Sequence, residues 1–109
     1  MKNIILKGGN IFPSKVVCIG RNYTEHIAEL NNDTPDEMVF FLKPNSSITN
    51  KLVFPKAHES CHYEAEISFL MEEGKISAVG FGLDLTLREV QSKLKAKGLP
   101  WERAKAFDN

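Results

Sequence analysis

Hydrophobic and polar positions along the 109-residue chain change spacing several times, and each change marks an element. Residues 2–6 carry a short strand pattern, followed by a turn signal at Gly8, Gly9 and Asn10. Val16, Val17, Cys18 and Ile19 form a continuous apolar run, the pattern of a buried strand. Residues 24–30 fit a short helical turn with Thr24 as N-cap, and residues 31–36 read as a polar loop. Residues 39–43 predict another strand, stopped at Pro44-Asn45-Ser46-Ser47. Residues 63–71 predict a longer one, which turns at Glu72-Glu73-Gly74-Lys75 into a return strand over residues 76–85.

The clearest helix lies over residues 87–97. Leu87, Val90 and Leu94 make its apolar stripe, and Thr86 with Glu89 has the spacing of a capping box. Lys93, Lys95 and Lys97 are expected to face water near the negative helix end, with Gly98 and Pro100 closing it. The pattern as a whole predicts an α+β, β-rich domain. Trp101 and Phe107, beyond the helix, are large aromatics that need cover.

Composition narrows the function classes. Fourteen basic and fourteen acidic residues balance, so no overall positive field exists to hold nucleic acid or an anionic membrane. No apolar run is long enough to span a bilayer, and the first residues have too short an apolar core for a secretion signal. Cys18 and Cys61 sit in apolar strand contexts and are expected to be reduced, in a cytoplasmic protein.

The chemistry concentrates at residues 61–69. Glu64 and Glu66 are two apart on a strand, so they share a face, about 7 Å apart along the chain. In the return strand Val79, Phe81 and Leu83 are expected to face the core, which puts Gly80, Gly82 and Asp84 on the other side. If the strands pair, three carboxylates converge beside two glycines that leave room. A hard cation (Mg²⁺, Mn²⁺ or Ca²⁺) resolves their repulsion, although spacing alone favours a solvated strand face. His26 and Glu29, three apart on a helical turn, have the spacing of an oriented general base, although spacing alone favours a surface pair. His58, Cys61 and His62 lack a fourth ligand for zinc, and Cys61 and His62 point to opposite faces. Lys43 and Lys105 each lie in apolar surroundings, where a lysine either snorkels or recognises an anion.

Taken as a set, these segments resemble the fumarylacetoacetate hydrolase family. Gly20-Arg21-Asn22-Tyr23-Thr24-Glu25-His26-Ile27-Ala28-Glu29 resembles its G-x-N-Y-x-x-H-x-x-E segment, and Phe41-Leu42-Lys43-Pro44 its F-x-K-P segment. His62-Tyr63-Glu64-Ala65-Glu66 is similar to the family's H-x-E-x-E metal motif. Asp84 to Gln91 resembles D-x-T-x-R-D-x-Q, with Glu89 where Asp is usual. Residues 97–101 and 103–108 are similar to K-G-x-P-W and A-K-x-F-D. The resemblance spans residues 14–109, with residues 1–13 a strand and turn leading in, and is nearest to acylpyruvate hydrolase-like members.

The resemblance implies part of a mixed β-sandwich roll in which Glu64, Glu66 and Asp84 bind Mg²⁺ or Mn²⁺. It implies a pyruvoyl-type 2-oxo acid as substrate, with His26 and Glu29 on a lid as the proton-handling pair. Lys105 would neutralise the substrate carboxylate, with Gln91, Lys43 and Arg21 as supporting donors. The expected reaction is C–C hydrolysis of acylpyruvates. Tautomerisation, isomerisation or decarboxylation of oxaloacetate-like or dienoate substrates is the alternative on the same residues. Family members continue with a further half that completes the roll. That leads to the expectation of a homodimer in the complete form, a second chain supplying that half, or a non-catalytic partner subunit.

Overall fold

The computed structural model describes residues 1–20, 38–55 and 60–108. Its elements run β1 (Ile4–Leu6), β2 (Gly9–Ile11), β3 (Lys15–Gly20), β4 (Val39–Pro44), a 3-10 turn (Asn45–Ser47), β5 (Cys61–Glu72), β6 (Lys75–Leu87), α1 (Arg88–Ala96) and α2 (Glu102–Lys105). Among the described residues the strands pair consecutively and antiparallel as β1–β2, β3–β4 and β5–β6. The α+β, β-rich class predicted from the pattern is the one observed. Contacts divide the chain into two units, Met1–Val53 with Ala106–Asn109, and Phe54–Lys105. No helix among the described residues is long and apolar enough to cross a membrane.

In the first unit the β1–β2 turn falls at Lys7 and Gly8, both in the left-handed region at φ 49° and 79°. Gly9 already pairs with Leu6, so the turn sits one residue earlier than the Gly8-Gly9-Asn10 signal suggests. The apolar run of β3 is not buried on both faces: Val16 and Cys18 are half-buried, whereas Val17 and Ile19 are exposed. Asn45 fastens the N-terminal hairpin by accepting from the Lys2 amide at 2.8 Å and donating to the Lys2 and Pro13 carbonyls at 2.8 and 2.6 Å. Phe107 gains its cover partly from Lys43, whose ammonium lies 5.8 Å from the ring centroid.

In the second unit β5 and β6 form a long ribbon whose turn carries Glu73 and Gly74 at φ 52° and 76°. Two left-handed central residues favour Asn-Gly, because Asn tolerates that region better than Glu. Glu73→Asn is therefore expected to stabilise the protein by about 0.5 kcal/mol. Chemical denaturation should show a higher midpoint at unchanged slope; an unchanged or lower midpoint contradicts this reading.

Period-two alternation divides the ribbon into two faces. Ala65–Leu83, Ile67–Phe81 and Phe69–Val79 pair on one face, and Glu64–Asp84, Glu66–Gly82 and Ser68–Gly80 on the other. The expectation that Val79, Phe81 and Leu83 face a core is corrected: Val79 is 67% and Phe81 74% exposed, and Leu83 is exposed too. Burial comes instead at the far end of β6, where Leu85, Thr86 and Leu87 are all covered. Leu94 of α1 and Ala104 of α2 are buried with them.

The capping box is corrected as well. β6 runs through Thr86 to Leu87, so Leu87 is the helix N-cap and makes no side-chain capping bond. The Thr86 hydroxyl is committed to the acidic face instead. Lys95 does not simply face water; its ammonium lies 4.9 Å from the Trp101 ring centroid and covers that indole. Cys18 and Cys61 are both thiols.

Candidate metal and substrate site

The site is built by strand register. Glu64 and Asp84 are direct cross-strand partners, so their carboxylates leave the same face of the ribbon. Glu66 lies one pleat further along, opposite Gly82, and Thr86 lies one pleat beyond Asp84, opposite His62. The three carboxylates anticipated from the alternation do share a face. A Cβ added at Gly80 would meet nothing within 4 Å, whereas one at Gly82 would lie 3.0 Å from Ser68 Oγ. Room beside the carboxylates is therefore found at Gly80, and Gly82 is a close approach.

A lysine gathers this face. Lys105, the last residue of α2, places Nζ 2.7 Å from Glu64 Oε2, Asp84 Oδ2 and Thr86 Oγ1. Its side chain is 4% exposed, against 10% for Asp84 and 23% for Glu64. The ammonium thus donates to three oxygens in a nearly dry setting, where charge-assisted bonds are strong. The Thr86 hydroxyl proton is within reach of Glu64 Oε2 at 3.1 Å and the Asp84 carbonyl at 3.3 Å. Arg88, at the start of α1, brings Nη2 to 3.2 Å from Glu64 Oε1. Glu64 therefore meets a different cation on each of its two oxygens.

Burial pushes the Glu64 carboxyl up, but the Lys105 hydrogen bond and charge, then Arg88 and Thr86, outweigh it and hold the group below its ordinary value. A carboxylate lowered in the folded state stabilises the fold above its unfolded value and loses that contribution as pH falls through the folded one. Thermal stability is thus expected to fall as pH drops below 4.5. Glu64→Gln should flatten that part of the profile; a profile identical to the parent's would contradict it.

The other anticipated residues divide. Gln91 is buried on α1, in the same unit as the acidic face. Lys43 belongs to the other unit and lies over Phe107. Arg21, His26 and Glu29 lie outside the described residues, as does His58. The residues that reasoning from sequence did not assign are Thr86 and Arg88. Their signal was the period-two spacing Asp84-x-Thr86-x-Arg88, which continues the acidic face along one strand and into the helix start.

Among the described residues no three of His, Cys, Asp and Glu are drawn together as an ion would need. The chemistry of the donor set nevertheless fits a hard divalent cation. The donors are all oxygen, two carboxylates already share one cation, and Glu66 is one pleat away on the same face.

Among the described residues, an acidic ribbon face met by Lys105 and Arg88 is a set of oxygen donors whose chemistry suits a hard cation. The sequence profile described as fumarylacetoacetate (FAA) hydrolase C-terminal matches residues 15–109, and the chain belongs to that family. It is 43% identical over 110 residues to oxaloacetate tautomerase YcgM of Escherichia coli K12, covering 88% of this chain and 50% of that protein. It is 42% identical over 112 residues to the mitochondrial oxaloacetate tautomerase oaa1 of Schizosaccharomyces pombe, covering 86% of this chain and 50% of that one. Among solved structures it resembles fumarylpyruvate hydrolase from Pseudomonas aeruginosa, crystallised with Mn²⁺ and pyruvate. That match has a TM-score of 0.79 at 31% identity, covering 97% of this chain and 54% of the other. The chain spans about half the length of the curated relatives it matches.

Proposed function

We propose that this chain supplies the acidic, cation-binding face of an enzyme acting on a small 2-oxo acid, and that the reaction is keto–enol tautomerisation of an oxaloacetate-like substrate. The observation that carries the reading is the pair of facing carboxylates, Glu64 and Asp84, held 2.7 Å from one shared cation. The two oxaloacetate tautomerases, at 43% and 42% identity, favour this reaction over the acylpyruvate cleavage expected from sequence. Hydrolysis is the second reading, supported by the likeness to the fumarylpyruvate hydrolase structure.

Glu64, Glu66 and Asp84 would hold Mg²⁺ or Mn²⁺, the latter being the ion in that hydrolase structure. A cation bound there supplies Lewis-acid polarisation of the 2-oxo group and so acidifies the neighbouring C3 protons. The residues of the chain handle charge and protons. His26, oriented by Glu29, takes one proton from C3, and the C2 oxygen gains one, so keto and enol interconvert with atoms and charge conserved. Arg21, Lys43, Gln91 and Lys105 are the donors assigned to substrate carboxylates.

The test is a paired assay with Mg²⁺ or Mn²⁺ present. Decay of the enol absorbance of oxaloacetate should accelerate with protein, while fumarylpyruvate or acetylpyruvate should be cleaved slowly or not at all. Efficient acylpyruvate cleavage without enol decay would replace the tautomerase reading with the hydrolase one.

A further inference from the structure

Lys105 occupies the position between Glu64 and Asp84 that a bridging cation would need. We propose that Lys105 is a displaceable counter-cation: its ammonium and a divalent metal compete for the same two carboxylates, so the metal enters first and releases the lysine toward the substrate. This deepens the proposed function and rests on it.

The geometry points to exchange rather than coexistence. Lys105 Nζ bridges Glu64 Oε2 and Asp84 Oδ2 at 2.7 Å each, the facing oxygens of a cross-strand pair. Arg88 touches Glu64 alone, on its other oxygen, and so does not stand between the two carboxylates. A divalent ion and an ammonium drawn to the same two carboxylates in so dry a setting repel strongly, so one excludes the other.

The lysine also ties the two facing carboxylates to a hydroxyl. It holds Glu64 and Asp84 together with Thr86, and Glu66 lies one pleat further along the same face. Metal entry would exchange a lysine–threonine–carboxylate group for one that includes Glu66. Once displaced from between Glu64 and Asp84, the ammonium can turn to the carboxylate of an anionic 2-oxo acid. Binding order follows: metal, then substrate.

The wild-type protein can be examined by NMR of ¹⁵N-labelled lysine side chains. An ammonium making three hydrogen bonds in a buried setting exchanges slowly, so Lys105 should give a protected signal without metal. Added Mg²⁺ should remove that signal with the midpoint that calorimetry gives for metal binding. Lys105→Met should bind Mg²⁺ roughly tenfold tighter and gain more thermal stability from it than the parent does. Lys105→Arg, which keeps the charge, should stay near the parent affinity.

If Mg²⁺ binds while the Lys105 signal persists, the displacement idea is wrong and the proposed function stands. Unchanged or weaker Mg²⁺ affinity in a folded Lys105→Met protein would overturn it as well. Should that variant fail to fold, the wild-type titration still decides. Absence of Mg²⁺ and Mn²⁺ binding, even with oxalate, would defeat the functional reading and this inference together.

Discussion

Glu64→Gln is expected to weaken both the fold and the site, lowering stability by about 2 kcal/mol and divalent-metal affinity at least about a hundredfold. The fold effect follows from what Glu64 faces. Its two oxygens meet Lys105 at 2.7 Å and Arg88 at 3.2 Å, and Lys105 is 4% exposed. Removing the charge takes a carboxylate away from two cations that it meets directly, and weakening the compensation of a buried charge is costly. Glutamine keeps the shape and some hydrogen bonding, which places the loss below that of a full truncation. Glu66→Gln separates the two effects, because Glu66 lies opposite Gly82, one pleat away from the Glu64–Asp84 pair that Lys105 bridges. It should lose metal-dependent turnover with a smaller loss of stability than Glu64→Gln. Denaturant unfolding and Mn²⁺ titration of the two variants side by side test this. Equal stability loss in both would refute the division of roles.

His26→Ala should lower turnover about 10²- to 10⁴-fold while leaving oxalate binding intact. The expectation rests on sequence, since residues 21–37 lie outside those described. Histidine is the side chain whose unperturbed titration is nearest neutrality, and Glu29 stands three residues on, at the spacing of one helical turn. Such a pair can take and return a C3 proton without supplying a ligand to the cation. Calorimetry with oxalate, an unreactive mimic of the 2-oxo acid group, separates binding from proton transfer. Loss of oxalate affinity along with turnover would make His26 a binding or structural residue.

Much of the second unit was legible because its strands are long. A period of two sustained through β5 and β6 places Glu64, Glu66 and Asp84 on one face whatever the details of the turn. Alternation sets which residues share a face, but not what covers it. Phe81 is apolar and in phase with Leu83, yet it is 74% exposed. The Thr86–Glu89 spacing had the form of a helix cap, but a threonine hydroxyl serves whichever strong partner is nearest. Here that partner is the Lys105–Glu64 pair, 19 and 22 residues distant in sequence. The role of Lys105 was half legible. Its charge and apolar surroundings suggested anion recognition, but only the folded arrangement shows two carboxylates of the chain itself as the anions met.

The most direct test of the acidic face is a calorimetric titration of the protein with Mg²⁺ and Mn²⁺, with and without oxalate, repeated on Glu66→Gln. One divalent ion should bind per chain, oxalate should tighten it, and Glu66→Gln should lose it while staying folded. No binding by the parent protein, or full binding by Glu66→Gln, would contradict the assignment of Glu64, Glu66 and Asp84 as the metal-holding face.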